Sequence, residues 1–332
     1  MPVSNVIHGK AFEYACLVGI AGVINGSGRN IVCIVQEDGA YHNAKRCFEA
    51  LPLDSHRGEL LHAGEKIAEK LKSLEPRLTF SVKDLSDEVF LSIQPDACGI
   101  AGDVRDVLAA KIQAASRQKG WQIGISCKHN HAAVRHQRIS PNIDIGVEWF
   151  GFPSDENYWK DIRSVFLKVS QYRVNSRISL WRNIPNKPQE IYYPAMVAVR
   201  GLFDRIYRAN SAGFCSNLLH YLIGREDFYK VILNRKERQV QIEAFNFNKT
   251  LNQPAGGQRP LIQIKRLKFP TQLNRVYFKK DSQNTLLIEM NEGWQISMRV
   301  HNASSRLEQS LKLDVQLVGV PRDLYRELIV IF

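Results

Sequence analysis

Apolar residues change their spacing several times along the chain, and each change predicts a different kind of element. From residue 8 to about residue 75 they recur at helical spacing, as in GKAFEYACLVGIAGV and HRGELLHAGEKIAEKLKSLEP, with one short apolar strand, NIVCIV, between them. From residue 155 to residue 223 helical spacing returns, notably in IYYPAMVAVRGLFDRIYRAN. Both stretches are therefore predicted to be mainly helical.

Strand patterns dominate two other regions. Residues 78–150 contain LTFSV, EVFLSI, DVLAA and WQIGISCK, and one basic helix that carries Arg135, His136 and Arg138. From about residue 228 the strand candidates are FYKVILN, VQIEAFNF, LIQIKRL, RVYFKK, TLLIEM, WQISMRV and SLKLDVQLV. The segment TLNQPAGGQRP is rich in Pro and Gly, which predicts a loop.

These elements predict an α/β (α+β) fold in which helices flank a mixed sheet and a β-rich region follows. We expect a helical and catalytic region at residues 1–225 and a β-rich region for DNA recognition at residues 226–332, or one continuous domain. The length of 332 residues allows one large domain or two smaller ones, and 44% hydrophobic residues exclude a mostly disordered chain.

The net charge and the cysteine content indicate which kind of partner the protein binds and where in the cell we expect it. Lys and Arg number 45 against 33 Asp and Glu, a net charge of +12 that favours a phosphate-rich partner. The six cysteines contain no CxxC pair, which argues against a zinc module or a disulfide scaffold. A secretion leader and an apolar run of about 18 residues are both missing, so we expect a cytoplasmic protein with no membrane partner.

The candidate chemistry lies between Gly102 and Ser140. Asp103 and Asp106 open a short apolar run, and strand alternation in WQIGISCK places Gln122, Ser126 and Lys128 on one face. A carboxylate, two strands and a lysine in this order are typical of metal-dependent PD-(D/E)XK nucleases. Carboxylates hold a divalent cation at the scissile phosphate, and a lysine stabilises the attacking water. The alternative is a hairpin with Asp and Lys on its surface, since this spacing is common by chance.

Several segments resemble the HaeIII family of type II restriction endonucleases. They are GDVRDVLAAK, WQIGISCKHNHAAVRHQRIS, LLHYLIGREDFYKVI and WQISMRVHNASSRLEQSLKLDVQLVG, in the family's order, and with GKAFEYA they span most of the chain. The resemblance implies a PD-(D/E)XK nuclease that cuts double-stranded DNA at GGCC and uses Mg²⁺ or another divalent cation. It also implies a host DNA methyltransferase of the same specificity, because unprotected sites would be cut.

For the active site, the resemblance implies Asp106 as principal metal ligand, with the backbone carbonyl of Cys127 as a second. Lys128 would stabilise the attacking hydroxide and the phosphorane charge. Ser126 stands where such nucleases normally have an acid, and Gln122 stands where the family more usually has glutamate.

Another acid is therefore needed. We expect Glu13, on the first helix, to supply it, with Asp103 and Asp144 as rivals; the alternative for Glu13 is an ordinary exposed helix glutamate.

The expected DNA contacts form two groups. His129 and Asn130 would lie beside the DNA backbone, and the following helix would present Arg135 and Arg138 to phosphates or base edges. The best candidates for sequence reading are Arg299, His301, Asn302, Ser304, Ser305 and Arg306. A plain surface hairpin is the alternative there, and a zinc site at CKHNH is not favoured because no second ligand pair follows.

Two further expectations complete the picture. In LLHYLIGREDFYKVI we expect packing at a corner around Gly224, with Tyr229 and Lys230 as weaker candidates for DNA contact. The rival function is a DNA-binding protein without catalysis, silenced by the departures at Ser126 and Gln122. Incubation of the protein with plasmid and magnesium, against an EDTA control, separates the two functions.

Overall fold

The structure, a computed structural model, describes residues 5–27, 31–52, 56–80, 87–100, 102–112, 119–129, 133–174 and 177–331. In these ranges the helices are α1 (Asn5–Asn25), α2 (Gly39–Glu49), α3 (Gly58–Leu74), α4 (Asp96–Ile100), α5 (Glu156–Val174), α6 (Tyr193–Ala209) and α7 (Ser211–Ile223). The strands are β1 (Ile31–Val35), β2 (Asp87–Ile93), β3 (Val107–Ile112), β4 (Lys119–His129), β5 (Ala133–Ile139), β6 (Phe228–Asn234), β7 (Gln239–Phe245), β8 (Leu273–Phe278), β9 (Thr285–Met290), β10 (Gln295–Asn302), β11 (Leu311–Gly319) and β12 (Tyr325–Val330).

The chain forms two compact units, each assembled from separate segments. The first unit comprises Met1–Ala132, Arg225–Leu267 and Asp323–Phe332, and the second comprises Ala133–Gly224 and Lys268–Arg322. The chain thus passes from the second unit back to the first at residues 224–225, beside the boundary expected from the sequence. Each unit nevertheless takes residues from both sides of that boundary.

A mixed sheet is the centre of the first unit. Its described strands are ordered β1-β2-β3-β4-β6-β7-β12, with β1 parallel to β2, β4 parallel to β6, and the other neighbours antiparallel. One face of the sheet packs against α1 and α3. Ile123, Ile125 and Cys127 of β4 lie in that core, so the predicted alternation of this strand is confirmed.

Two glycines let α1 and α3 cross at backbone distance. A Cβ atom on Gly19 would collide with the Gly64 carbonyl, and a Cβ atom on Gly64 would collide with the Ala15 carbonyl. Gly in the middle of a helix normally costs stability relative to Ala. Here the missing side chains allow close packing, which holds α1 in place over the sheet.

The second unit contains an antiparallel sheet and the helices α5, α6 and α7. The sheet order among its described strands is β5-β11-β10-β9-β8. Ile296, Met298 and Val300 of β10 are buried, whereas Arg299 is exposed and His301 is partly exposed. The predicted alternation of this strand is therefore confirmed.

The predicted basic helix after Lys128 is wrong. Residues 133–139 form strand β5, which pairs with β11 so that Arg138 lies opposite Lys312 and Arg135 opposite Val315. The sequence AVRHQRI has no alternation of apolar and polar residues, so the strand depends on its neighbour β11, which supplies the ladder of hydrogen bonds.

Three smaller expectations about strands also need correction. LTFSV predicts a strand that starts at Leu78, but Pro76–Leu78 form a 3₁₀ turn. The last two residues of LTFSV lie outside the described ranges. LIQIKRL joins no strand ladder and belongs to the long connection between β7 and β8, which includes the predicted loop. Strand β12 was missed, and it forms the edge of the first sheet beside β7.

By length and apolar composition, α1 would be able to cross a membrane, the one such helix among the described residues. Half of its apolar window, Val6–Asn25, is buried inside the protein. Core helices have the same properties, so this feature is weak evidence for a membrane span.

We expect Gly64→Ala to destabilise the first unit by about 1–3 kcal/mol, because the new methyl group forces α1 and α3 apart. The matched control is Gly22→Ala on α1, where a Cβ atom meets no other atom within 4 Å. That change should be neutral or stabilise by up to about 1 kcal/mol through helix propensity. Thermal unfolding measures both variants, and equal stability of the two would contradict the close crossing.

Candidate active site

Asp106 directly precedes β3, beside the end of β4. Its backbone N–H donates to the Ile125 carbonyl at 2.8 Å, and its own carbonyl accepts from the Gln94 N–H at 2.8 Å. These bonds fix the backbone on both sides, while 23% of the side chain stays exposed. The carboxylate is therefore accessible at the mouth of a buried strand, as the sequence predicts.

Three donors of β4 converge on one carboxylate oxygen of Asp106. Oδ2 accepts from the Cys127 backbone N–H at 2.6 Å, from Lys128 Nζ at 3.2 Å and from Ser126 Oγ at 3.3 Å. Ser126 and Lys128 lie on the same face of β4 because their spacing is two, and the Cys127 thiol is buried on the other face. The structure thus brings together Asp106, Ser126 and Lys128.

Lys128 is a partly buried cation that its acidic neighbour keeps charged. Burial alone would lower the pKa of the Lys128 ammonium group, but the charge and hydrogen bond of Asp106 raise that pKa above its usual value. Only 19% of the side chain is exposed. The site therefore holds a fixed positive charge beside the Asp106 carboxylate.

Glu13 brings a second carboxylate close to that of Asp106. It lies on α1, which packs against β3 and β4, and is only 7% exposed. Burial and the nearby charge of Asp106 raise the pKa of Glu13 to about 8, against the opposing effects of Lys10 and Lys128. Without a further cation, it is unfavourable for Glu13 and Asp106 to be negatively charged at the same time.

Lys10 is a component of the site that sequence reasoning missed. Its Nζ lies 3.0 Å from Glu13 Oε2 and 2.7 Å from Asp96 Oδ1 of α4. The spacing of three residues between Lys10 and Glu13 on one helix was the available signal. Lys10 holds Glu13 in place and connects α1 to the segment before Asp106.

Arg105 holds two of the other predicted residues. Its guanidinium group binds both carboxylate oxygens of Asp103, at 2.8 and 2.7 Å, and lies 3.3 Å from the Gln122 side-chain oxygen. The Arg105 side chain crosses β4 at Gly124, where a Cβ atom would collide with it. Neither Asp103 nor Gln122 is among the described hydrogen-bond partners of Asp106.

Asp144 has a local role in the second unit. Its Oδ1 accepts hydrogen bonds from the Ser154 N–H and hydroxyl, at 3.0 and 2.6 Å, and from the Val147 N–H at 3.1 Å. The carboxylate therefore organises the turn around residues 144–154. Asp144 is therefore already bound by donors of its own unit.

The two carboxylates suit a hard divalent cation better than zinc. Mg²⁺ keeps several waters and needs only one or two protein carboxylates, and the raised pKa of Glu13 beside Asp106 marks a place where added positive charge is favourable. Within the described residues, no cluster of three or more His, Cys, Asp or Glu side chains is arranged to hold a metal.

His129 lies in the interior rather than on an open edge. It is 7% exposed, and its ring stacks on that of His8 of α1 at 5.0 Å between centroids. Alternation turns it away from Lys128, so its position argues against the predicted contact with the DNA backbone. Asn130, the other residue of that prediction, lies outside the described residues.

In the second unit, acids pair with the arginines predicted to contact DNA. Arg299 binds Asp314 at 2.8 Å, and His301 lies 3.5 Å from the same carboxylate. Arg138 reaches Ser310 at 2.8 Å and Glu308 at 3.4 Å, and the Arg135 side chain is not described. The side chains of Arg299 and His301 both remain partly exposed on one face of the sheet.

The segment after β10 is organised by its own hydrogen bonds. The Asn302 amide accepts from the Tyr192 hydroxyl at 3.0 Å and donates to the Ser304 carbonyl, while the Ser304 hydroxyl donates to Glu308. Ser305 and Arg306 are exposed. The segment therefore presents a defined polar surface.

The chain is similar to known restriction endonucleases over nearly its whole length. The sequence model of the HaeIII restriction endonuclease family matches residues 9–321. The type II restriction enzyme HaeIII of Haemophilus aegyptius is 33% identical over 314 residues, which are 95% of this chain and 94% of that protein. No solved structure matches the chain.

The raised pKa of Glu13 predicts how stability depends on pH without metal. Folding raises this pKa from a usual value of 4.5 to about 8. The free energy of unfolding is therefore not reduced by Glu13 below pH 4.5, where the carboxyl group is neutral, and it falls as the pH rises from 4.5 towards 8. Glu13→Gln is neutral at every pH and should melt higher than the wild type near about pH 8, with a smaller difference near about pH 5.

Thermal unfolding in EDTA across this pH range measures the effect. The exposed Glu237→Gln in the turn between β6 and β7 is the matched control and should show no such trend. A difference for Glu13→Gln that stays constant with pH would contradict the raised pKa.

Proposed function

The chain belongs to the HaeIII restriction endonuclease family and is a type II site-specific deoxyribonuclease acting on double-stranded DNA, and from this premise we propose that it cuts GGCC with a metal-dependent PD-(D/E)XK site. GGCC is the recognition sequence that the resemblance implies, and the relative with 33% identity supports it. The mixed sheet of the first unit, with its acid before β3 and its lysine in β4, is consistent with the PD-(D/E)XK nuclease core.

The observation that supports this site best is the convergence on Asp106. Ser126, the Cys127 backbone and Lys128 bind one carboxylate oxygen, and Glu13 brings a second carboxylate from α1. A surface hairpin with unrelated Asp and Lys residues would not bury the lysine against the acid. The burial and the shared hydrogen bonds favour a functional cluster.

Asp106, Glu13 and the backbone carbonyl of Cys127 are the groups we expect to hold Mg²⁺ or another divalent cation. When bound, the cation polarises the phosphate and lowers the pKa of water. Glu13 replaces the acid that Ser126 does not provide. Ser126 instead orients Asp106 through its hydroxyl hydrogen bond.

Lys128 has the charge that phosphodiester hydrolysis requires. Its ammonium group donates to Asp106 in the absence of DNA, and it can donate to the attacking water or to a phosphate oxygen when DNA is bound. Burial strengthens these contacts, because charge interactions are stronger away from water.

Recognition of the sequence is assigned to β10 and the segment that follows it. Arg299 is exposed and is held by Asp314, which leaves part of its guanidinium group for guanine O6 and N7. His301, Asn302, Ser304, Ser305 and Arg306 surround it and would contact bases or phosphates. Arg135, Arg138 and Asn130 are assigned to the DNA backbone, and His129 is left out because it is buried against His8.

A host DNA methyltransferase that modifies the same sequence would protect the cell's own sites. We place the enzyme in the cytoplasm, where foreign DNA arrives. The methyltransferase need not contact this protein, because protection acts through the DNA.

Asp106→Ala should abolish cleavage of plasmid DNA in magnesium and leave binding of a GGCC duplex in calcium largely intact. The change removes a metal ligand and also relieves repulsion between carboxylate and phosphate. Glu13→Gln should raise the magnesium concentration needed for half-maximal cleavage, since one of two charged ligands is lost.

Asp103→Asn is the matched control for both variants, because its carboxylate is bound to Arg105. It should cut DNA in the same way as the wild type. Near-normal cleavage by Asp106→Ala would refute the assignment, and wild-type binding without magnesium-dependent cutting would favour a silent DNA-binding protein.

Arg299→Ala and Arg138→Ala distinguish residues that read the DNA bases from residues that contact the phosphates. We expect Arg299→Ala to weaken binding to a GGCC duplex by about 1–3 kcal/mol more than binding to a scrambled duplex. Arg138→Ala should weaken both equally and reduce the salt dependence by about one unit of slope. Competition binding in calcium measures both, and equal losses on the two duplexes for Arg299→Ala would exclude it from base reading.

A further inference from the structure

A row of charged residues extends from Ser126 across the first sheet. In the sheet register Ser126 pairs with Lys230 of β6, Lys230 pairs with Glu243 of β7, and Glu243 pairs with Arg326 of β12. Residues paired in this way point to the same face of a sheet. Lys230 is therefore next to Ser126 on the face that also presents Lys128.

Ser126, Lys230 and Glu243 of this row are buried, whereas Arg326 at the edge of the sheet is exposed. Lys230 is 3% exposed and Glu243 is 4% exposed. Glu243 accepts from the Gln241 amide at 2.7 Å and from Arg326 at 2.9 and 2.7 Å. Arg326 thus offsets the charge of Glu243 from the edge of the sheet, and the acid does not depend on Lys230 alone.

The charge of Lys230 is unfavourable for folding. Burial lowers its pKa to about 8, and the charges of Lys128 and Arg326 lower it further against the opposing effect of Glu243. The unfolded chain therefore binds this proton more tightly, and below about pH 8 the protonated amine reduces stability. An apolar side chain of similar size would pack there at lower cost, and residues that reduce stability are expected where function uses them.

We propose that Lys230 is a second active-site lysine, whose ammonium group stabilises the negative charge that develops on the scissile phosphate beside Lys128. Adjacent strands are about 4.8 Å apart, so its backbone is one strand spacing from Ser126, which binds Asp106. Charges act strongly on one another where water is excluded. This inference rests on the proposed active site at Asp106 and Lys128.

A purely structural ion pair with Glu243 is the alternative, and two variants distinguish it. Lys230→Met removes the charge and keeps the length, whereas Lys230→Arg keeps the charge. The matched control is Lys236→Met, an exposed lysine in the turn that joins β6 to β7. Each protein is assayed for single-turnover cleavage of a GGCC duplex in magnesium, for binding of that duplex in calcium, and for thermal stability.

We expect Lys230→Met to cut at least about tenfold more slowly, since one preorganised donor in an active site contributes about a hundredfold or more. Its thermal stability should equal or exceed that of the wild type, and its binding in calcium should change far less than its cleavage rate. Lys230→Arg should recover most of the rate, and Lys236→Met should behave as the wild type.

Two results would overturn this role. The first is cleavage by Lys230→Met at the wild-type rate. The second is slower cleavage together with an equal loss of stability, neither of which Lys230→Arg restores. The second result would leave only a packing role. Failure of the wild type and of Lys236→Met to cut GGCC would instead refute the proposed specificity, which separates the two conclusions.

Discussion

The hydrogen bonds between Asp106 and the end of β4 are the interaction on which the candidate site depends. They join the segment before β3 to Ser126, Cys127 and Lys128, so the register between β3 and β4 decides which side chains meet. A shift of one residue would turn Lys128 into the core and bring Cys127 to the site. The apolar face of β4, buried against α1 and α3, prevents that shift.

The position of helix α1 depends on its close packing against α3. It delivers Glu13 and Lys10 to the site only because Gly19 and Gly64 let it approach α3 at backbone distance. The buried charges then balance one another: Lys10 and Lys128 offset part of the repulsion between Glu13 and Asp106. Burial and the remaining repulsion from Asp106 raise the pKa of Glu13, which favours a divalent cation. The packing of α1 against α3 therefore determines where the charged groups of the candidate site lie.

In the second unit, acids hold several cationic side chains in defined positions. Asp314 binds Arg299 and lies close to His301, and Glu308 pairs with Arg138. Surface pairs of this kind contribute little to stability. Their effect is to restrict the positions of long side chains, which lowers the entropy lost on binding.

Local patterns in the sequence determined the helices of residues 5–74 and 156–223, the alternation of β4 and β10, and the pairing of Asp106 with Lys128, because these depend on side-chain period and short spacing. The same patterns predicted a helix at Arg135–Arg138 and missed β12, since a short segment becomes a strand only when a neighbour offers a free ladder. Tertiary structure alone decided that Arg105 lies against Gln122 and Gly124 of β4 and that Lys230 lies beside Ser126. These contacts join residues far apart in the chain and depend on which strands are neighbours, so local spacing contains no information about them.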